Sequence, residues 1–370
     1  MKILVTGGAG FIGSHLVDAL VAAGHQVRIL DSLVPQVHTS GRPAHINSGA
    51  EFLQGDLCKE GMLDRALEGI EAVYHEAAEV GVGQSMYKIQ RYVRGNDLAT
   101  AALLEAVVER RDKIRKLIVA SSMSIYGEGA YRNAAGKIFH PKIRPSSQLA
   151  AHAWEMQSPD TGEILTPIGT PEDKPLFPTS IYAVTKQDQE QFCLITGRAY
   201  GIPTVALRYF NVYGTRQALS NPYTGVCAIF SSRLLNDQAP VIYEDGEQMR
   251  DFVHVSDIVQ ANLLALETDR ADYEAVNIGT GVPTSINMIT GMLSEGLGKR
   301  IEPEIVGKYR EGDVRHCYAD ISKARELLGY EPKVRIEDGI PGLLEWVRSQ
   351  HAEDRVSAAA GELESRKLIK

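Results

Sequence analysis

The first fifteen residues, Met1 to His15, constrain the fold most. An apolar run, Ile3 to Val5, breaks into glycines and resumes with helical spacing at Phe11, Ile12, Leu16, Val17, Leu20 and Val21. That pattern predicts strand, tight turn and helix. Gly8, Gly10 and Gly13 satisfy G-x-G-x-x-G, and Gly7, Gly10 and Gly13 satisfy the wider-spaced variant. Glycines in such a turn let the backbone approach a pyrophosphate seated on the positive helix N-terminus. A second strand, Gln26 to Leu30, ends in Asp31, a carboxylate placed to accept from an adenosine ribose. Asp31 would repel a ribose phosphate and no Arg follows it directly, so NAD is favoured over NADP. The competing reading, a nucleotide-free βαβ turn, leaves Asp31 at this spacing unused.

The chain has 370 residues, 44% of them hydrophobic, enough for one large domain or two closely joined ones. A net charge of -8 argues against bulk binding to nucleic acid or to an anionic membrane. Cys58, Cys193, Cys227 and Cys317 lie far apart, and no pair has metal-ligand spacing, so reduced thiols and no metal site are expected. The glycine turn begins too early for a signal peptide, and no apolar run reaches transmembrane length. A soluble cytoplasmic protein is the expectation.

Further strand-like runs recur at Phe52-Leu53, Ala72 to His75, Lys116 to Ala120, Thr204 to Leu207 and Ala275 to Ile278, with helices between them. This alternation predicts an α/β fold with a doubly wound parallel sheet, in which ligands sit beyond the carboxyl ends of the strands. Gly55-Asp56-Leu57 follows the third strand, and its Asp could face an adenine. His75-Glu-Ala77-Ala78 follows the fourth, with small residues where a dinucleotide would cross. Ala99 to Val108 and Tyr182 to Tyr200 read as long helices. Residues 128–180 carry seven prolines or more without sustained periodicity, which predicts a long loop or small lid. From about His351 the chain reads as a frayed helical tail.

Ser121-Ser122-Met-Ser124-Ile-Tyr126-Gly127 follows the fifth strand, and Tyr182-Ala-Val-Thr-Lys186 lies downstream. Tyrosine and lysine four apart share one helical face, so the ammonium can approach the phenol and favour its anion. A free phenol titrates at about 10. A neighbouring cation, the nicotinamide charge and a helix dipole could bring it towards working pH as an acid/base. The Ser122 hydroxyl could hold a substrate oxygen beside it.

On these motifs the chain resembles the extended short-chain dehydrogenase/reductase family, in particular its NAD-dependent nucleotide-sugar epimerases and dehydratases. The resemblance runs from Met1 to about Arg348. It continues through Leu207-Arg-Tyr209-Phe-Asn211-Val-Tyr-Gly214, Arg250-Asp-Phe-Val-His-Val-Ser-Asp257, Asn277-Ile-Gly279 and Arg310-Glu-Gly-Asp313. It implies a Rossmann domain over 1–211, completed by about 252–281 and interrupted by the 128–180 insertion. A smaller interleaved α/β lobe, 212–251 and 282–348, would bind the sugar nucleotide. It implies Tyr182 as acid/base, Lys186 on the nicotinamide ribose, and Ser122 with Ser124 against the sugar. NAD would lie along Gly7, Gly10, Phe11, Ile12, Gly13, Asp31 and Ser32. It would continue past Asp56, Leu57, Ala77 and Ala78 to Ser121 and Tyr209. Asn96, opening a helix, would cap it or support the Ser122 strand, and is counted among the cofactor-binding residues. Asn211 would touch the diphosphate or sugar, Arg250 and Arg310 would clamp the diphosphate, and Asp313 would meet the nucleoside ribose. Without the motif context, Arg250-Asp251 and Arg310-Asp313 would read as surface ion pairs. His75 and His254 read as structural.

The resemblance also bears on the reaction. Dehydratases of the family carry Asp and Glu directly after the residue matching Ser122; here these positions are Met123 and Ser124. Oxidation and re-reduction at one carbon is therefore expected: 4-epimerisation through a transient 4-keto sugar. The segments from Glu76 to Ser85 and from Ser121 to Gly129 are most similar to members acting on dTDP-L-rhamnose to give dTDP-6-deoxy-L-talose. Val80 stands where several UDP-galactose epimerases carry lysine. Alternatives are a UDP-glucose/galactose-type 4-epimerase, a 4,6-dehydratase, a reductase or decarboxylase, and a silent NAD-sensing scaffold. The family's use of the Asn96–Val108 and Tyr182–Tyr200 helices in a four-helix bundle implies a homodimer.

Overall fold

The computed structural model describes residues 1–370 except Ser40 and Glu311, the latter within the Arg310–Asp313 motif. All seven strand-like runs enter one parallel sheet. Its strands are β1 (Lys2–Thr6), β2 (Gln26–Asp31), β3 (Glu51–Gln54), β4 (Ala72–His75), β5 (Lys116–Ser122), β6 (Thr204–Tyr209) and β7 (Ala275–Ile278). Their order is β7-β6-β5-β4-β1-β2-β3. The chain winds outward from β1 to β3, then returns to place β4 on the other side of β1. Such a reversal opens a crevice above the carboxyl ends of β1 and β4.

Side chains alternate across the sheet with the period of a strand. Ile3, Val5, Val27 and Ile29 pack on one face with Leu16, Val17 and Leu20 of the helix Phe11–Ala22 and with Ile258 and Ala261 of the helix Val255–Glu267. Leu4, Val73, Leu117 and Val119 pack on the other with Leu103 and Val107 of the helix Ala99–Val108 and with Cys193 and Leu194 of the helix Ile181–Tyr200. A third core joins Phe230 of the helix Val226–Leu235, Ile289 and Leu293 of the helix Ile286–Leu297, and Leu343, Leu344 and Val347 of the helix Ile336–Arg348. A smaller sheet of Asn211–Tyr213, Met249–His254, Pro283–Ser285 and His316–Cys317 lies beside it.

Of the two readings of residues 128–180, a long loop or a small lid, the structureless loop is excluded: Ala130–Arg132, Ile138–Phe139 and Thr166–Ile168 make a three-stranded antiparallel sheet. Buried charges lock it to the second lobe. Arg144 makes bidentate bonds to Glu244 at 2.7 and 3.0 Å, and Arg315, 1% exposed, donates to Glu155, Glu244 and Asp245. Glu128 accepts from the Arg315 amide at 2.7 Å and from the Tyr131 hydroxyl at 2.9 Å. A buried guanidinium is costly unless carboxylates compensate its charge, as Glu244 and Glu128 do for Arg144 and Glu155, Glu244 and Asp245 do for Arg315. The tail is helical as expected but is not frayed: Val356–Ser365 is a helix that buries Ala359 and Leu363.

Candidate active site

The glycine turn is built tightly. Gly7 has φ +70°, and a Cβ there would lie 2.8 Å from Ala77 Cα, in the residue pair that follows β4. A Cβ on Gly13 would lie 2.3 Å from the Gly7 carbonyl oxygen. Gly10 caps the helix Phe11–Ala22 in extended conformation, so the free amides of that helix open onto the crevice. Asp31 accepts from the Ala9 amide at 3.0 Å and the Leu33 amide at 2.8 Å. Asp31 therefore stiffens the turn from the far side, and each carboxylate oxygen keeps a second lone pair for a ribose hydroxyl.

One cavity of about 1190 Å³ runs from this turn into the second lobe. Its wall includes Gly7, Gly10, Phe11, Ile12, Gly13, Asp31, Ser32, Asp56, Leu57, Ala77, Ala78, Ser121, Ser122, Ser124, Tyr182, Lys186 and Tyr209. It also includes Asn211, Arg250, Arg310 and Asp313. Asn96 is the exception. It sits inside a π-helical turn, Val93–Leu98, that runs on into the helix Ala99–Val108, and it is fully buried off the wall. Its amide exchanges hydrogen bonds with the Glu79 backbone and donates to Thr185 Oγ1 at 2.9 Å. Buried away from the cavity, Asn96 braces the helix of Tyr182 against the loop after β4.

Tyr182 is the second residue of a helix capped by Ser180, whose hydroxyl accepts from the Ala183 amide at 3.1 Å. The phenol packs edge-on to Tyr92, ring centroids 6.4 Å apart, and shares the cavity wall with Ser122, whose hydroxyl accepts from Ser124 Oγ at 2.9 Å. Burial pushes the phenol above its ordinary value while Ser122 pulls it down. The expected lowering is thus absent from the chain alone. Lys186 donates to the Ala120 carbonyl and to Gln189 Oε1, at 2.8 Å for the latter, rather than to Tyr182. Burial brings Lys186 down to about 8, with the Glu76 charge acting in the opposite direction.

Glu76, directly after β4, was not singled out by the sequence. Its carboxyl is on the cavity wall, accepts from the Tyr209 hydroxyl at 2.8 Å, and is raised by burial to about 7. The available signal was a carboxylate at the end of an otherwise apolar strand. Ser121 donates to Glu190 at 2.7 Å, and Glu190 also takes a bidentate pair from Arg208, so this hydroxyl is fixed from below. His75 is structural: bonded to Thr6 and Thr100 at 2.8 Å each, it is driven by burial to about 3 and stays neutral. His254 caps the helix Val255–Glu267.

At the far end, Arg310 donates to Asp313 at 2.7 and 2.9 Å, and Arg250 stands 3.6 Å from the same carboxylate. Arg250 spends three donors on the carbonyls of Met249, Val314 and Arg315, which fixes its plane and leaves two N–H groups for a ligand. The Arg310–Asp313 ion pair and a place on the cavity wall therefore coexist. Asn211 Oδ1, Arg216 Nη1, Gln217 Oε1 and Gln248 Oε1 are buried without a partner in the protein, and all four residues line the cavity. Three of these atoms are carbonyl oxygens that accept and one is a guanidinium donor, so together they fit a ligand that carries hydroxyl or ring N–H donors beside an anionic group. The amide-lined glycine cradle and Asp31 likewise fit a dinucleotide.

A doubly wound sheet, a glycine cradle and a Tyr–Ser–Lys group on one cavity define a dinucleotide-dependent enzyme of the Rossmann class. A family model described as "NAD dependent epimerase/dehydratase family" matches residues 3–152 and 157–279. The chain belongs to that family, and its cofactor is NAD. It is 35% identical over 352 residues to a dTDP-L-rhamnose 4-epimerase of Burkholderia thailandensis, covering 94% of this chain and 95% of the relative. It is 36% identical, again over 352 residues, to a putative UDP-glucose 4-epimerase of Methanocaldococcus jannaschii, covering 94% and 99%. Among solved structures, a UDP-glucuronic acid 4-epimerase from Bacillus cereus, in complex with UDP-glucuronic acid and NAD, superposes with a TM-score of 0.78. The two are 32% identical, with 95% of this chain and 100% of that one covered.

Proposed function

We propose that this isomerase inverts carbon 4 of a nucleoside-diphosphate sugar, converting dTDP-L-rhamnose to dTDP-6-deoxy-L-talose. The observation that carries the reading is the placement of Tyr182, Lys186 and Ser122 together on the wall of one cavity that runs from the glycine turn to Arg250 and Arg310. NAD, when bound, supplies a hydride acceptor and donor for carbon 4. Tyr182 takes the proton of the sugar 4-hydroxyl and returns it, while Ser122 holds the same oxygen. Lys186, charged at neutral pH, holds the nicotinamide ribose and favours the phenolate. Met123 and Ser124 follow Ser122 on the wall and supply no carboxyl for eliminating water, which favours epimerisation over dehydration.

Arg250 and Arg310 take the diphosphate bidentately, Asn211 and Asp313 the groups beside it, and 212–251 with 282–348 act as the substrate lobe. The first similarity, to a dTDP-L-rhamnose enzyme, supports the sugar; the similarities to UDP-sugar enzymes give the second reading, a UDP-sugar 4-epimerase. NMR of the protein incubated separately with dTDP-L-rhamnose and UDP-glucose decides: inversion of the first but not the second supports the proposal, and the reverse overturns the choice of sugar.

A homodimer belongs to this reading. Ile89, Val93 and Leu98 on one side, and Val184, Phe192 and Ile195 on the helix Ile181–Tyr200, are apolar yet exposed, from 37% to 58%. Apolar side chains grouped on two packed helices mark a protein contact, and a two-fold pair of such faces is self-complementary.

A further inference from the structure

The last twenty residues take no part in the chemistry above, yet they complete the cavity wall. Asn236 fixes the Ala352 carbonyl at 2.8 Å, and Arg233 pairs with Asp354 at 3.1 Å. The helix Val356–Ser365 then crosses towards the glycine-turn side of the molecule. There Leu363 Cδ1 would meet a Cβ on Gly83 at 3.3 Å, and the Arg366 guanidinium lies 4.5 Å from the Tyr87 ring centroid. On the return, Lys308 pairs with Glu364 at 2.7 Å. Tyr309 and Lys370 exchange two backbone hydrogen bonds of 2.9 Å, and Ile369 bridges to Arg310 in antiparallel sense. The segment thus touches both halves of the molecule and gives Arg310 its strand partner.

Its contribution to the wall is mainly apolar: Val356, Ala359, Ala360, Leu363 and Leu368 line the cavity in company with Phe230 and Tyr243. The same cavity also carries the orphaned polar atoms of Asn211, Arg216, Gln217 and Gln248. A lining with both kinds of residue takes a ligand that has polar groups and an apolar one. We propose that the helix Val356–Ser365 is a specificity element of the sugar-nucleotide site, selecting a methyl-bearing edge of the ligand, either on the base or at the deoxy carbon of the sugar. The inference rests on the nucleotide-sugar reading of the cavity.

The test measures calorimetric binding of dTDP, dUDP, dTDP-L-rhamnose and dTDP-L-mannose to the full chain, to Leu363→Asn and to Ala360→Phe, with bound NAD counted for each. Loss of one buried leucine contact corresponds to about a tenfold weakening. Leu363→Asn is expected to weaken a methyl-bearing ligand by that factor relative to its partner, with NAD content unchanged. Loss of the dTDP-over-dUDP preference assigns the base; loss of the dTDP-L-rhamnose-over-dTDP-L-mannose preference, with dTDP unaffected, assigns the sugar carbon. Ala360→Phe, at a half-buried position, intrudes on the cavity and should weaken every sugar nucleotide while NAD stays bound. Wild-type binding with neither preference altered in Leu363→Asn, and no loss in Ala360→Phe, overturns the inference alone. Failure of the wild-type chain to bind any of the four ligands overturns the nucleotide-sugar reading itself.

Discussion

Lys186 donates to the carbonyl oxygen of Ala120, two residues before Ser122, and so pins the helix that carries Tyr182 to the strand that carries that serine. Asn96, bonded to Thr185, and Thr100, bonded to Gln189, brace the same helix from the side of the fourth strand. The phenol is held in place by its neighbours, so removing its oxygen should alter chemistry without altering the site. Tyr182→Phe is expected to lower kcat by about a thousandfold, in the range of a lost general acid/base. NAD content, measured after acid release, should match the wild type.

Glu76 and Lys186 are opposite charges on one wall, and each holds the other ionised against burial. Lys186 loses its proton near pH 8, and removing the Glu76 charge lowers that value further. Glu76→Gln should therefore move the alkaline limb of the kcat profile to lower pH, since the ammonium survives only at lower pH. An alkaline limb unchanged from wild type would show that Glu76 does not act through Lys186.

Asp31 has two duties, stiffening the glycine turn through Ala9 and Leu33 and receiving the ribose. Asp31→Ala should weaken NAD by about 1.5–3 kcal/mol, the worth of hydrogen bonds to a charged group. NADP should lose less, because the repulsion of its phosphate disappears with the carboxylate. Titration of both dinucleotides checks the ratio; an unchanged NAD-to-NADP preference would reject the ribose role.

Ile195 is 58% exposed on the helix opposite its buried Cys193 and Leu194 neighbours. A charge there costs nothing in the free chain but is left unpaired in an apolar contact. Ile195→Asp should convert a dimer to a monomer in light scattering with the thermal midpoint of the isolated fold retained. A wild-type monomer would remove this interface.

All seven strands of the main sheet were legible because each is a buried apolar run bounded by turn residues, and Tyr182 with Lys186 was legible from helical spacing. What the spacing did not carry was the partner of Lys186, which is a carbonyl on a strand 66 residues away in sequence. Residues 128–180 read as a long loop or small lid because strands as short as Ile138–Phe139 have no period, and because Arg144 and Arg315 find their carboxylates far along the chain. The tail read as frayed for a similar reason: the surface that buries Leu363 comes from residues near Gly83, remote in sequence. Asn96 was identified by position but misassigned, because a buried amide and a ligand-facing one look alike until their partners are known.

The most direct measurement is NMR of dTDP-L-rhamnose carrying deuterium at carbon 4, incubated with the protein and no added cofactor. Hydride removal and return within a closed site predicts inversion at carbon 4 with the deuterium retained and no net NADH. Deuterium washed out to solvent, or inversion at another carbon, would contradict the assignment of Tyr182 and Ser122 to a hydroxyl whose carbon gives up and recovers a hydride.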